Sequence, residues 1–274
     1  MADRRLDRAA RIAALPALAL IVMVLVLPVT MLIGPGLAAP RAVPGQMVAL
    51  AGTVAISAIA AALATIAALA VAAACRTAGR RTQDLVMTVS AIPLSLSALV
   101  TAFAFILLFG RSGTVTLTLA ALGCDPRGMT ALFYGPAGLV LVYLHMLAPR
   151  ALTTLMPVVS GLDLACFHVA RSLGAGRIRA ARDALWPQVA PACLAAWTLC
   201  FAVSVGSYAA ALVLLGTGAP LLSVLLVAQL GDGATDTAAS GQIAAVLVAL
   251  CGVAAWAAAV MGARHRVSMR GRPG

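Results

Sequence analysis

The chain has 274 residues, 63% hydrophobic and 10% charged, with a net charge of +11 and a mean hydropathy of +1.06. A soluble domain of this length carries roughly a quarter charged residues, so a water-soluble globular fold is excluded. The basic excess does not point to nucleic acid either, because aromatics make up only 4% of the chain and no basic stripe with interleaved aromatics occurs.

Charge-free stretches run over 12–40, 42–75, 85–110, 128–149, 184–231 and 237–263. Each exceeds the ~20 residues that cross a ~30 Å hydrocarbon layer at about 1.5 Å per residue. Lipid cannot satisfy an exposed backbone N–H or C=O, so these stretches are helical where they span. The short alternating segments of a membrane barrel are absent. The expected fold is an all-α membrane protein of about six transmembrane helices.

In chain order, residues 1–11 form a charged tail. Span 1, over 12–33, is longer than the ~7–15-residue apolar region of a secretory leader. It reads as an uncleaved first span ending at Gly34-Pro35-Gly36. Span 2 covers 47–74 and is rich in Ala, with Thr53, Ser57 and Thr65 on it; small residues let helices approach closely. A short basic turn leads to span 3 over 86–109, which contains Pro93 with Ser95, Ser97 and Thr101 nearby. Residues 110–130 form the longest connection on the far side, with a short helix expected over 114–122.

Span 4 covers 132–156, a polar segment follows over 157–188, and span 5 covers 189–215. The stretch 217–231, after the break at Gly216–Pro220, is too short to cross and reads as an interfacial or re-entrant element. Span 6 covers 240–262, and 263–274 is a basic tail. The organisation is a single transmembrane domain over 12–262 between two tails, with no internal repeat.

All 19 basic residues are Arg and all eight acids are Asp. With the N-terminus inside, sixteen of the arginines fall on the inner side and only Arg41, Arg111 and Arg127 outside. Inner-side enrichment of this size sets orientation, so both ends are expected in the cytoplasm. The six cysteines (75, 124, 166, 193, 200, 251) show no metal-ligand spacing. The three histidines (145, 168, 265) are scattered. No metal site, catalytic site or bound cofactor is expected.

The most informative stretch is 163–191. Asp163 is placed to cap a helix, Gly174 and Gly176 interrupt the chain, and Pro187 and Pro191 open the next span, where proline costs least. A short helix pair rimmed by Arg171, Arg177, Arg179 and Arg182 can lie on the membrane surface or dock a partner. The stretch resembles the EAA loop of bacterial binding-protein-dependent ABC-importer permeases of the type I fold. That loop reads Glu-Ala-Ala, three residues, Gly, nine residues, Ile-x-Leu-Pro. Ala170 matches its second Ala, Gly174 its Gly and Pro187 its Pro, with both intervals intact. His168 stands where the family has Glu, Val169 replaces the first Ala, Ala184 the Ile and Trp186 the Leu.

The resemblance extends diffusely over about 47–260, including Ile92-Pro-Leu-Ser-Leu-Ser97, Leu108-Phe-Gly-Arg-Ser-Gly113 and Tyr134-Gly-Pro-Ala-Gly138. It implies an inner-membrane permease that works with an ATPase dimer, a second permease and a periplasmic solute-binding protein. His168, Ala170, Arg171, Gly174, Gly176, Arg177 and Pro187 would form the loop that couples to the ATPase. The run Phe201-Ala-Val-Ser-Val-Gly-Ser-Tyr208 is most similar to polyamine permeases, with thiamine, iron and sulfate permeases as alternatives. A P-loop needs a lysine to hold phosphate, and this chain has none. ATP would therefore be bound and hydrolysed on the partner.

Candidate pathway residues come from polarity within spans. Ser204, Ser207 and Tyr208 stand at i, i+3 and i+4, which places them on one helical face. Ser97 and Thr101 do the same in span 3. His145 is an ionisable group at depth in span 4, a location that favours an interior or cavity. The alternative for the hydroxyls is a bond back to their own helix. A secondary transporter is the rival function; it would show membrane-embedded charges or paired broken helices.

Overall fold

The computed structural model describes residues 23, 26–38, 43–123, 125–231 and 237–270, and these hold helices and no strand. The helices are α1 (Val26–Ala38), α2 (Gln46–Arg76), α3 (Arg80–Ser95), α4 (Ala98–Phe109), α5 (Thr114–Ala121), α6 (Pro126–Phe133) and α7 (Pro136–Ser160). They continue with α8 (Ala165–Ser172), α9 (Arg177–Ala180), α10 (Trp186–Val205), α11 (Ala209–Leu215), α12 (Leu222–Gly231) and α13 (Thr237–Arg270). A π-helical turn, Ala181–Leu185, joins α9 to α10. Five stretches are long and apolar enough to cross a membrane: Gln46–Arg76, Ala98–Ala121, Pro136–Ser160, Arg177–Val205 and Thr237–Ala257. Most of the expected span 1 lies outside the described residues; only its end falls in α1.

The centre of the bundle is α2 packed on α7, with α10 against both. Ala60, Ala64, Ala68 and Ala72 recur every four residues along α2, and none is more than 2% exposed. They share one core cluster with Leu139, Val142, Leu147, Ala151 and Leu155 of α7. Lipid tails are as apolar as leucine, so close backbone approach and dispersion contacts, rather than escape from water, hold such a seam together.

Two expected spans are interrupted. Span 3 does not continue through 86–109, because Leu96 turns extended (ψ 139°) and Ser97 restarts the chain as the N-cap of α4. Pro93 lacks an N–H, which weakens the last turn of α3, and the Ser97 hydroxyl accepts from the Val100 N–H at 3.3 Å. Span 5 likewise stops at Val205, and α11 begins only at Ala209. The Tyr143 hydroxyl donates to the Ser207 carbonyl at 2.7 Å in this gap. The helical halves beyond the two breaks, α4 and α11, pack on each other.

Tyr143→Phe removes a buried donor from the second break. A lost bond of this kind costs on the order of 1 kcal/mol. A fall in Tm of a few degrees is the expected outcome, measured by thermal unfolding of the detergent-solubilised protein.

The helix expected over 114–122 is α5. The α6 helix was not foreseen; Asp125 caps it by accepting from the Arg127 and Gly128 N–H groups at 3.0 and 3.2 Å. The 217–231 stretch forms α12, which packs against α2 and α13. The Leu222 N–H donates to Thr53 Oγ1 at 2.9 Å.

Candidate functional site

At one end of the bundle, α7 gives way to the α8–α9 loop. Leu164, not Asp163, is the N-cap of α8; Asp163, one residue earlier, accepts from the Ala165 N–H through Oδ1 at 2.8 Å. The helix ends in a two-bond C-cap. The Ala175 N–H donates to Ala170 O at 3.0 Å and the Gly174 N–H to Arg171 O at 3.1 Å. This is the Schellman arrangement, which requires a left-handed residue after the helix. Gly174 supplies it with φ +86°. The spacing of Ala170 and Gly174 thus has a backbone cause: they are the acceptor and the left-handed pivot of one cap. Arg171 reinforces the turn by donating to Ala175 O at 3.0 Å. Gly176 has ordinary backbone (φ −62°, ψ 154°) and starts α9.

The loop is tied down on its inner side. Arg76, at the end of α2, donates to Leu162 O at 2.9 Å. Gln188 donates to Ala184 O at 2.8 Å and approaches Asp163 O at 3.5 Å. Ala180 is buried. A groove of about 360 Å³ at the loop's base is lined by Leu69, Ala73, Val159, Leu162, Leu185 and Trp186 among others. Pro187 enters α10 in its first turn.

The outer side is bare. Leu173 and Ile178 are 82% and 87% exposed, flanked by exposed Arg171, Arg177, Arg179 and Arg182. Asp183 lies 3.2 Å from Arg182 and 3.9 Å from Arg179. His168 is exposed and stacks edge-on against Phe167 at 5.7 Å. The result is a firmly anchored loop with an apolar crest inside a basic rim. The sequence marks the arginines and glycines but not Leu173 and Ile178, since an apolar residue in a largely apolar chain gives no sign of being left uncovered.

The candidate pathway residues lie on and beside α4, α7, α10 and α11. Ser97 is exposed and caps α4. Thr101 is buried and donates to Ser97 O at 3.1 Å. Ser204 is buried and donates to Phe201 O at 2.9 Å. Ser207 and Tyr208 lie in the gap between α10 and α11, so the single face expected for Ser204, Ser207 and Tyr208 does not exist; the break at Gly206 removes the helical spacing. His145 is half-buried, packs on Phe105 at 5.3 Å and lines a groove of about 320 Å³ with Ser90, Pro93 and Pro149. Among the described residues, no group of three or more metal-ligating side chains occurs.

Crossing helices interrupted in mid-bundle, with a capped helix pair projecting beyond one end, define an all-helical, multi-pass transport protein of the type I importer permease fold. The model of the family described as the binding-protein-dependent transport system inner membrane component matches residues 64–266, and the chain belongs to that family. It is a permease subunit of an ABC importer. Its fold is similar to a crystal structure of a bacterial ABC transporter involved in the import of the acidic polysaccharide alginate. That match has a TM-score of 0.71 and 17% identity, covering 93% of this chain and 96% of the other. A second structure is the bacterial alginate ABC transporter in complex with an alginate pentasaccharide-bound periplasmic protein. It matches with a TM-score of 0.69 and 15% identity over 92% and 94% of the two chains. No curated protein matches the sequence.

Proposed function

We propose that the chain is one of two permease subunits that together enclose the pathway for a small solute delivered by a periplasmic binding protein. Its arginine-rich end faces the cytoplasm, and an ATPase dimer docks on the α8–α9 loop and binds and hydrolyses the ATP. The observation that carries this reading is the apolar crest of Leu173 and Ile178 on a loop fastened to the bundle by Arg76, which donates to Leu162 O, and by Gln188, 3.5 Å from Asp163 O. A crest exposed in the isolated chain and rigidly held is suited to fill a pocket on a partner and transmit its movement. His168 replaces the acidic residue of related loops with a neutral or cationic group, so the contact rests on packing and the arginine rim.

Affinity purification of the chain from its native membranes is expected to bring down a P-loop ATPase. Leu173→Asp combined with Ile178→Asp is expected to reduce that ATPase by about tenfold or more, since buried apolar anchors carry most of an interface's energy. Undiminished ATPase on the doubly substituted chain would place docking elsewhere.

The similarity of the 201–208 run to polyamine permeases makes a polyamine one solute for this reading. The similar alginate importers carry an acidic polysaccharide. In the described residues Asp occurs only near the ends of the bundle, at Asp84, Asp125, Asp163 and Asp183, so the polyamine proposal has no counter-charge at depth. Uptake of labelled spermidine by the assembled complex tests it directly.

A further inference from the structure

At the end of α7 opposite the α8–α9 loop, Arg111 in the turn after α4 and Arg127 in the first turn of α6 line one cleft. The cleft has a volume of about 490 Å³ and is completed by Thr130, Ala131 and Tyr134. Both arginines are exposed. Among the described residues neither has an ion-pair partner. The adjacent acid, Asp125, uses its two carboxylate oxygens to cap α6. The Tyr134 hydroxyl sits over Gly110, where a Cβ would come within 3.2 Å of it, so the glycine leaves room for the phenol beside Arg111.

This volume falls in the roughly 300–1,000 Å³ range of small-molecule sites. Guanidinium groups pair with carboxylate, phosphonate and sulfate through forked, charge-assisted hydrogen bonds, and a phenolic O–H adds a further donor.

From the floor of the cleft a ladder of rings runs along the bundle. Tyr134 meets Phe133 at 5.5 Å, Phe133 meets Phe109 at 5.6 Å, Phe109 meets Phe105 at 5.7 Å, and Phe105 meets His145 at 5.3 Å. Packed rings thus link the cleft's Tyr134 to His145, which lines a separate groove. Along that line no acid occurs among the described residues. Among the described residues, the two positive charges at the mouth are offset only by Asp125 at the start of α6, so the cleft keeps a positive excess that favours an anion over a cation.

We infer that the cleft of Arg111, Arg127 and Tyr134 binds an oxyanionic group of the transported solute at the outer mouth of the pathway. The inference rests on the importer-permease reading above and sets aside the polyamine named there: the solute is an anion.

The full chain, with any ATPase that co-purifies, is placed in nanodiscs of phosphatidylcholine and treated with phenylglyoxal. Modification of each arginine is followed by peptide mass spectrometry in the presence of sodium sulfate, sodium glucuronate, spermidine, or sodium chloride at matched ionic strength. At ten times the half-saturating concentration, sulfate or glucuronate is expected to slow modification of Arg111 and Arg127 roughly tenfold, because only the empty site reacts. Arg177 and Arg179 in the α9 turn should react unchanged, and spermidine should protect nothing. Arg111→Gln is expected to abolish protection of Arg127 while Arg177 and Arg179 keep their wild-type rates, which reports an intact fold.

Equal slowing at Arg177 and Arg179, equal slowing by chloride, or no slowing at all overturns the inference. So does protection that appears only when the binding protein is added, since the anion would then be an acidic side chain of that partner. An ATPase that co-purifies without oxyanion protection overturns this inference and leaves the importer reading standing; protection with no ATPase does the reverse.

Discussion

Gly174→Glu is expected to reduce ATP-driven uptake to less than about a tenth of the wild-type rate while the protein remains inserted at normal levels. The cause is backbone geometry. Gly174 holds φ +86°, and an L-residue in the left-handed region costs about 1–2 kcal/mol. No atom lies within 4 Å of a Cβ built there, so the effect does not come from crowding. Relaxing the strain means giving up the bonds from Ala175 to Ala170 and from Gly174 to Arg171, which fix the angle between α8 and α9. A carboxylate at the C-terminal end of α8 adds an unfavourable ~0.3–1 kcal/mol against the helix dipole. Together these terms amount to about 1.3–3 kcal/mol, a ten- to hundredfold weakening of docking.

Gly176→Ala supplies the contrast. Gly176 has φ −62° and nothing within 4 Å of a Cβ, so this variant should transport as wild type. Uptake into proteoliposomes containing the ATPase, normalised to inserted protein by quantitative blotting, measures both. Wild-type uptake by Gly174→Glu, or an equal loss in Gly176→Ala, would remove the cap from the coupling mechanism.

The same residues show how far the sequence could be read. Span positions followed from where charge is absent, since burying an arginine in lipid is expensive; α2 and α10 lie where the charge-free stretches put them, while α7 runs on through Arg150 to Ser160 and α13 on to Arg270. The Ala170–Gly174 spacing was legible because a left-handed cap leaves glycine as its signature. The two breaks were not. Pro93 reads as a tolerated proline within one span, but α3 ends just after it, with Leu96 as its C-cap and Ser97 as the N-cap of α4. Gly206 stands between Ser204 and Ser207, a cluster that reads as a polar helix face, so it did not mark the place where the chain stops. A span that is hydrophobic all round has no stripe to reveal its buried face, so Tyr143, which bridges the second break, gave no signal. Arg111 and Arg127 were counted only as exceptions to the inner-side rule. Their meeting in one cleft depends on α6, whose Asp125-Pro126 start reads equally well as a turn.

The largest expected loss of stability is at Gly52→Val. Here α2 receives the backbone of the segment that leads into α12: a Cβ on Gly52 would collide with the Pro220 carbonyl oxygen. The next residue, Thr53, accepts the Leu222 N–H at 2.9 Å and donates to Ala49 O at 2.7 Å. Overpacking a well-filled seam costs about 1–3 kcal/mol. Pushing the segment away also strips Leu222 of its acceptor at a depth where no water replaces it, adding roughly 1–3 kcal/mol.

A combined loss near 4 kcal/mol corresponds to a fall in Tm of roughly 10 °C at about 2–4 °C per kcal/mol, read by thermal unfolding in detergent. Thr53→Val keeps the shape and removes only the acceptor, so its fall should be about half as large. Gly34→Val, on α1 with nothing within 4 Å, should leave Tm unchanged. The order of the three separates close backbone approach from the general cost of adding a branched side chain to a span. If Gly34→Val falls as far as Gly52→Val, the seat of α12 on α2 is not what holds this part of the bundle. If the order holds, the small residues of α2 serve two seams, the alanines facing α7 and Gly52-Thr53 facing the segment before α12.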